Sequence, residues 1–557
     1  MNAAATVTNS AHRDTFARDH LPPADQLPEF LFDRPELQFA PQINCAAELL
    51  DRMVERGAAD RVCIRGATQC WTYGELLARA NRIARVLVED LALVPGNRVL
   101  LRGGNSPMLA ACWLAVVKAG GIAVASMPLL RAKELTEMVA AARISHALCD
   151  ARLTAELTRA LPDCPTLTTT RTFNASGSGD DLESLAAGKP ATFDNVRTAA
   201  DDVCLIAFTS GTTGRPKATL HFHRDVMAAC ACWPRHTLGA APDDVFAGSP
   251  PIAFTFGLGG LLVFPLAIGA STVLIEQGSP EALLDTLERY AATICFTAPT
   301  SYRAMAPLVR GRDLSALRKC VSAAEPLPAA TRQLWKDATG IEIIDGIGST
   351  ELLHIFLSHT DADARPGATG KPVPGYQACI VDDNLQPLRA GQVGRLAVKG
   401  PTGCRYLADD RQREYVQGGW NLTGDAYAMD EDGWFFFQSR TDDLIISSGY
   451  NIAAPEVEGA LLLHPAVAEC GVVGVPDAVR GQIVKAFVVL RPGFESGPQM
   501  VEELQRFVKS QIAPYKYPRA IAFRDGLPRT ETGKLQRFRL RHETNRPSTD
   551  EAQGGSS

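Results

Sequence analysis

Thirty-one consecutive residues, Val245–Ile275, carry no charged side chain. A run that long has two places to be buried, a bilayer or the interior of a large globular core. Pro250, Pro251 and Pro265, with Gly257, Gly259, Gly260 and Gly269, interrupt it, and together they would break a single spanning helix repeatedly. On its N-terminal side stand Asp243 and Asp244, where a spanning segment would carry Lys or Arg anchors. The run therefore reads as a buried loop, helix and strand forming an interior wall, with no membrane partner.

Such a wall needs a large core around it, and 557 residues supply one with room for more than one domain. Helical periods alternate with short β-branched runs along most of the chain. Ser279-Pro280-Glu281 opens a helix whose apolar face is Leu283, Leu284 and Leu287, and Ala292–Phe296 follows as a strand. Met108–Lys118 with Gly121–Ser126, and Pro328–Ala338 with Ile341–Ile344, repeat the unit. These units predict an α/β fold, a helix-covered and mostly parallel sheet. Beyond about Arg440 the segments shorten: helices near Pro455–Leu463 and Val501–Ile512, strands near Val467–Val475 and Ile483–Leu490. A small α+β domain over 441–557 is expected to follow a large one over 1–440. Asn174–Asp181 is expected as a surface loop, and the chain from Arg546 as a disordered tail. No repeat of fixed period emerges.

Charge and cysteine usage exclude several classes. Lys and Arg number 56 against 62 Asp and Glu, a formal charge of −6, so the broad basic face that nucleic acid demands is not expected. Fourteen cysteines without a C-x-x-C pair read as reduced thiols in a cytoplasmic protein. The opening residues MNAAATVTNSAHRDTFARDH have no apolar core of a signal peptide.

The strongest chemical signal is Phe208-Thr-Ser-Gly-Thr-Thr-Gly-Arg-Pro-Lys217, preceded by the strand-like Val203–Ala207. Thr209, Ser210, Gly211, Thr212, Thr213 and Gly214 put hydroxyls and exposed backbone N–H groups in one turn that ends on the cation of Lys217. That combination is an anion cradle suited to polyphosphate. The G-x-x-x-x-G-K-[ST] spacing of a Walker A loop is absent.

This loop resembles the phosphate loop of the adenylate-forming superfamily of acyl- and aryl-CoA synthetases, and five further motifs follow in that family's order. Asp345-Gly346-Ile-Gly-Ser-Thr350-Glu351 resembles the aromatic-Gly-x-Thr-Glu element, which implies nucleotide contacts from Asp345 and Gly346, an α-phosphate contact from Thr350 and a Mg²⁺ ligand in Glu351. Ile347 replaces the usual aromatic, so adenine packing there is expected to be aliphatic or shared. Thr423-Gly-Asp425 resembles the ribose-binding turn. Arg440-Thr-Asp442 resembles the hinge, with Arg440 on ribose or phosphate and Asp442 as pivot. Ser447-Ser448-Gly449-Tyr450 resembles the loop lining the thiol passage. Pro528-Arg-Thr-Glu-Thr-Gly-Lys534 resembles the element carrying the catalytic lysine. The resemblance runs from about residue 45 to 541 and implies ATP, Mg²⁺ and coenzyme A as cofactors, a mobile small domain, and a monomer or homodimer. Ala218 stands where the family has Gly, a change of one methyl.

His221, His223, Cys230, Cys232 and His236 crowd one stretch, but their spacings match no zinc pattern. Gly257-Leu-Gly-Gly260 likewise fails the dinucleotide fingerprint. By resemblance the acid pocket lies between the uncharged run and the segment after Glu351, with Phe254, Phe256, Gly257, His354 and Ile355 as its lining. Both segments resemble the benzoate-CoA and 2-aminobenzoate-CoA ligases. A flat aryl acid suits such a slot; His354 either bonds an ortho amino group or is a packed helix residue. The expected activity is ATP-dependent formation of an aryl-CoA thioester through an aryl-AMP, 2-aminobenzoate being the preferred acid. Benzoate, another substituted benzoate, or a carrier-protein acceptor are the alternatives.

Overall fold

The computed structural model describes residues 9–175, 177, 179–209, 216–440, 445–447, 450–477, 480–529 and 535–544. The β/α units predicted from periodicity build two sheets. One has six strands in the order Thr169–Phe173, His146–Asp150, Arg98–Arg102, Ile122–Ser126, Val203–Thr209, Lys217–Phe222, all parallel except the last. The other has nine, and its parallel centre runs Ile343–Gly348, Lys319–Ser322, Ile294–Thr297, Val245–Gly248, Ser271–Val273, Val62–Arg65, with antiparallel strands added at both ends.

The helices start where their caps predict. Ser279 Oγ accepts from Ala282 N at 3.2 Å and opens Pro280–Arg289. Thr72 and Glu75 form a reciprocal capping box for Tyr73–Arg85. The helix Pro107–Lys118 is buried along its whole length, as its apolar circumference requires; even Lys118 is inside, bonded to Asp51.

The uncharged run is the interior wall expected of it. Val245–Gly248 is a central strand, Thr255–Ile268 is helical with a widened turn over Gly259–Val263, Gly269 closes the helix at φ +84°, and Ser271–Val273 returns to the sheet. Leu258, Leu261, Leu262, Phe264 and Leu266 lie in the main core. Among the described residues no helix is long and apolar enough to cross a membrane.

Two features depart from the sequence reading. Residues 377–440 form a five-stranded antiparallel sheet, Gln377–Val381, Val393–Lys399, Trp420–Met429, Val416–Gln417 and Phe435–Arg440, whose turn at Asp430–Gly433 (Gly433 at φ +78°) was its available signal. The strand predicted at Ile341–Ile344 is Ile343–Gly348, because its pairing with Ile355–Ser358 carries the extended backbone on through Gly346 and Gly348.

The C-terminal segments form a separate sheet, with Val467–Asp477 and Gly481–Leu490 antiparallel and Ala520–Phe523 parallel to the latter. It packs with Ala454–Leu462 and Pro498–Gln511 around Val457, Leu461, Val472, Val484, Val488, Leu504 and Val508. Arg303 Nη2 donates to Val467 O at 3.4 Å, and Arg529 Nη1 lies 3.6 Å from Glu325 Oε1, so this body touches the large one. The expected boundary at 440/441 adjoins 441–444, outside the described residues, as is the tail from 545.

Candidate active site

Hairpin geometry positions the phosphate loop. Val203–Thr209 and Lys217–Phe222 pair antiparallel at the edge of the six-stranded sheet, with Thr209 opposite Lys217. Ser210, Gly211, Thr212, Thr213 and Gly214 lie outside the described residues. Ala218, where a glycine was expected, is buried in the strand opposite Phe208, a position that accepts a side chain.

The second motif meets the first through a residue that no motif singled out. Lys217 Nζ donates to Tyr406 Oη at 3.3 Å and lies 5.0 Å from the ring centroid. Tyr406 Oη in turn donates to Glu351 Oε1 at 2.5 Å, the short distance of a hydroxyl bonded to a carboxylate. Glu351 is buried. Thr350 is half-buried in the turn before it, and Ser349 Oγ makes a 3.2 Å contact to Tyr415 Oη. Burial and the nearby Glu351 push the Tyr406 and Tyr415 phenols well above their ordinary range, so both remain protonated.

Asp345 sits on the strand before Thr350. Its N–H donates to His359 Nε2 at 3.2 Å, its Oδ1 has no partner of normal geometry, and burial raises its pKa to about 7 against the opposing pull of Arg332, Ser322 and the Gly346 N–H. Gly346 pairs with Ser358, and Ile347 packs half-buried against the core. Asp425 and Arg440 face each other on adjacent strands, and Arg440 Nη1 donates to Asp425 Oδ1 at 2.9 Å and to Thr423 O at 3.2 Å. Tyr427, buried beside them, feels both Asp425 and Asp345. Tyr406, Tyr415 and Tyr427 thus tie the carboxylates of two separate motifs into one region, and they carry no local sequence signature.

The five residues expected at the acid pocket fall on two segments, the start of Thr255–Leu258 and the turn and strand at 354–358. Phe254 caps the helix that holds Phe256 and Gly257. Gly257 admits no side chain, since a Cβ would sit 2.1 Å from Pro251 O. His354 is in the turn before Ile355–Ser358 and not on a helix, which removes the packed-helix reading. Its ring lies among Phe264 at 4.5 Å, Trp233 at 5.6 Å and Phe256 at 5.8 Å between centroids, and a Cβ on Gly259 would come within 2.3 Å of its Cδ2. Neither ring nitrogen has a partner of normal geometry. Burial lowers its pKa to about 3, offset only in part by the backbone of Phe256, so the imidazole is neutral at physiological pH. Ile355 is buried and pairs with Gly348.

Tyr450 lies on the short strand Tyr450–Ile452. Asp442, Ser448, Gly449 and Lys534 fall outside the described residues; the flanks of the last, Arg529 and Leu535, bridge one another. Of the crowded histidines and cysteines, His223 alone joins a cluster, with Cys45 and Cys204. Its Nδ1 already accepts from Cys45 N at 3.1 Å, which occupies the lone pair a metal would need. His236 pairs instead with Glu36.

A carboxylate beside a phosphate-loop lysine and a second carboxylate beside an arginine form a nucleotide cleft, and comparison with known proteins agrees. The sequence matches AMP-binding enzyme over residues 50–406 and AMP-binding enzyme C-terminal domain over 456–534. This chain belongs to the AMP-binding enzyme family. It is similar to the benzoate–CoA ligase of Thauera aromatica, 35% identical over 514 residues that cover 91% of this chain and 97% of that one. The fold is similar to that of an anthranilate CoA ligase solved with anthranoyl-AMP (TM-score 0.87, 33% identity, 92% of this chain and 99% of that one). It is also similar to a benzoate CoA ligase from Burkholderia xenovorans (TM-score 0.82, 32% identity, 90% and 100%). As a member of this family the chain is an AMP-forming acid–thiol ligase that uses ATP, Mg²⁺ and coenzyme A. The donor set suits the cation: Mg²⁺ takes one or two carboxylates together with substrate phosphates, and Glu351 is a buried carboxylate whose only hydrogen bond among the described residues engages a single oxygen.

Proposed function

We propose that this AMP-binding enzyme is an aryl-CoA ligase whose preferred acid is 2-aminobenzoate. The observation that carries the choice of acid is His354, a neutral imidazole with two unpartnered nitrogens inside an aromatic cage. A buried polar group left unpaired is costly, and an ortho amino group on a flat ring would satisfy it. The likeness to an anthranilate CoA ligase supports the same reading; the 35% identity to a benzoate–CoA ligase favours benzoate as the second.

In the reaction, an acid carboxylate oxygen attacks the α-phosphorus, the C–O–P anhydride forms, and the bond to the β-phosphate breaks to release pyrophosphate. We assign the β- and γ-phosphates to Thr209–Gly214 and Lys217, the α-phosphate to Thr350, adenine to Asp345 and Gly346, and ribose to Asp425 with Arg440. Glu351 would hold Mg²⁺, which would supply neutralisation of the phosphate charge. Lys534 stabilises charge at the phosphorus centre. The small domain, 441–557, then turns about Asp442 relative to 1–440, and Ser448, Gly449 and Tyr450 line the thiol's path. The CoA sulfur attacks the carbonyl carbon and AMP leaves with the bonding pair. Phe254, Phe256, Gly257, His354 and Ile355 hold the ring.

Pyrophosphate release measured with benzoate, 2-aminobenzoate and 3- and 4-hydroxybenzoate, with and without CoA, tests this. The expected result is the highest kcat/KM for 2-aminobenzoate and a thioester only when CoA is present; a preference for benzoate would replace the acid named here.

A further inference from the structure

We propose that Tyr406 is a positioning residue for MgATP, holding Lys217 and Glu351 apart so that each keeps its charge for the nucleotide. This deepens the reading of the cleft as an ATP site and rests on it. Lys217 is on the strand leaving the phosphate loop, Glu351 in the turn after Ile343–Gly348, and these belong to different sheets. Tyr406 comes from a third segment, between Val393–Lys399 and Gln412–Tyr415, and is fixed there from several sides. Its N–H donates to Gln412 Oε1 at 2.9 Å, its backbone bridges Thr219, and its ring meets Tyr415 edge-on at 5.8 Å.

A phenol has one proton to donate. That proton goes to Glu351 Oε1 and the oxygen accepts from Lys217 Nζ, so the hydroxyl relays one polarity from cation to carboxylate. The two charges are not in ion-pair contact with one another; the phenol stands between them. Direct pairing of an ammonium and a carboxylate in a largely buried site would be strong, and it would compete with the phosphates for Lys217 and with the cation for Glu351. The hydroxyl prevents this while orienting both groups, at the junction of the two motifs, before any nucleotide enters.

Calorimetric titration of ATP with and without Mg²⁺, on the full chain and on Tyr406→Phe, tests the assignment. The Phe variant keeps the ring contact with Tyr415 and removes one oxygen. A hydrogen bond to a charged group sets the scale, so the variant's Mg²⁺-dependent gain in ATP affinity should shrink by about tenfold. Affinity for a non-hydrolysable aryl-AMP analogue, which has no β- or γ-phosphate, should stay within about twofold of wild type, since its contacts do not include this hydroxyl. In a double-mutant cycle, Tyr406→Phe should weaken ATP binding less in the Lys217→Ala background than in wild type. Equal loss for ATP and the analogue, unchanged Mg²⁺ dependence, or additive losses in the cycle would each overturn the role of Tyr406. Failure of the wild-type protein to bind ATP would instead overturn the reading of the cleft.

Discussion

His354 and Asp345 show how burial alone sets the chemistry of a side chain. The His354 imidazole is neutral because its charged form is excluded from the aromatic cage, its pKa falling to about 3, so in the proposed role it would meet the acid as a hydrogen-bonding group and not as a charge. Replacing it with Phe removes two unpaired polar atoms and leaves a ring of similar shape. The His354→Phe variant should therefore fold at least as well as wild type, while the kcat/KM ratio of 2-aminobenzoate to benzoate falls by about tenfold; an unchanged ratio would remove His354 from acid recognition. Asp345 shifts the other way. Its folded-state pKa of about 7 lies above the ordinary 3.8, so the folded protein holds a proton that the unfolded chain has lost. Stability from this group therefore declines as pH rises from about 4 to about 7. In Asp345→Asn that decline is absent, so the variant's Tm relative to wild type should climb through this window and level off above it. Thermal melts at several pH values check the sign. Both residues lie on motifs legible in the sequence, but their protonation states were not legible, since each depends on what surrounds the side chain.

At the scale of elements, the helix Thr255–Ile268 and the turn at His354 form one packing unit. Gly257 lets the helix start pass against the carbonyl of Pro251, and Gly259 makes room for the His354 ring. A methyl at position 257 has backbone, not a flexible side chain, in its way, so the Gly257→Ala variant should lose about 1–3 kcal/mol by urea denaturation, the range for overpacked sites. Its KM for the acid should rise with little change in KM for ATP; a stable variant with unchanged acid KM would show that the helix start can shift. The uncharged run was legible as an interior wall because its prolines and glycines forbid a spanning helix. The antiparallel sheet over 377–440 was not anticipated, because its strands alternate weakly and the pairing of Trp420–Met429 with Val393–Lys399 joins residues separated by a long connection.

For the whole molecule, the large and small bodies meet, among the described residues, through contacts that include Arg529 with Glu325 and Arg303 with the carbonyl of Val467. Polar contacts of this kind would suit a domain that changes position during a catalytic cycle. If Lys534 serves the first half-reaction only, Lys534→Ala should abolish pyrophosphate release, a loss of at least about a hundredfold on the scale of removing one charge-stabilising donor. Thioester formation from supplied aryl-AMP should proceed near the wild-type rate, and equal loss of both steps would count against that division of labour. Sequence alone determined what is local: the strand that leads into the Gly- and Thr-rich segment, the cap that opens Pro280–Arg289, the interior character of Val245–Ile275, and the order of the motifs. Such features follow from backbone conformation, periodicity and side-chain chemistry over a few residues. Tertiary structure alone decided that Tyr406 stands between Lys217 and Glu351, 189 and 55 positions away in sequence, that Tyr427 lies beside two carboxylates, and that His354 is enclosed by three rings from two segments. Those contacts arise from packing one sheet against another, and no periodicity in the chain encodes which distant side chains will meet.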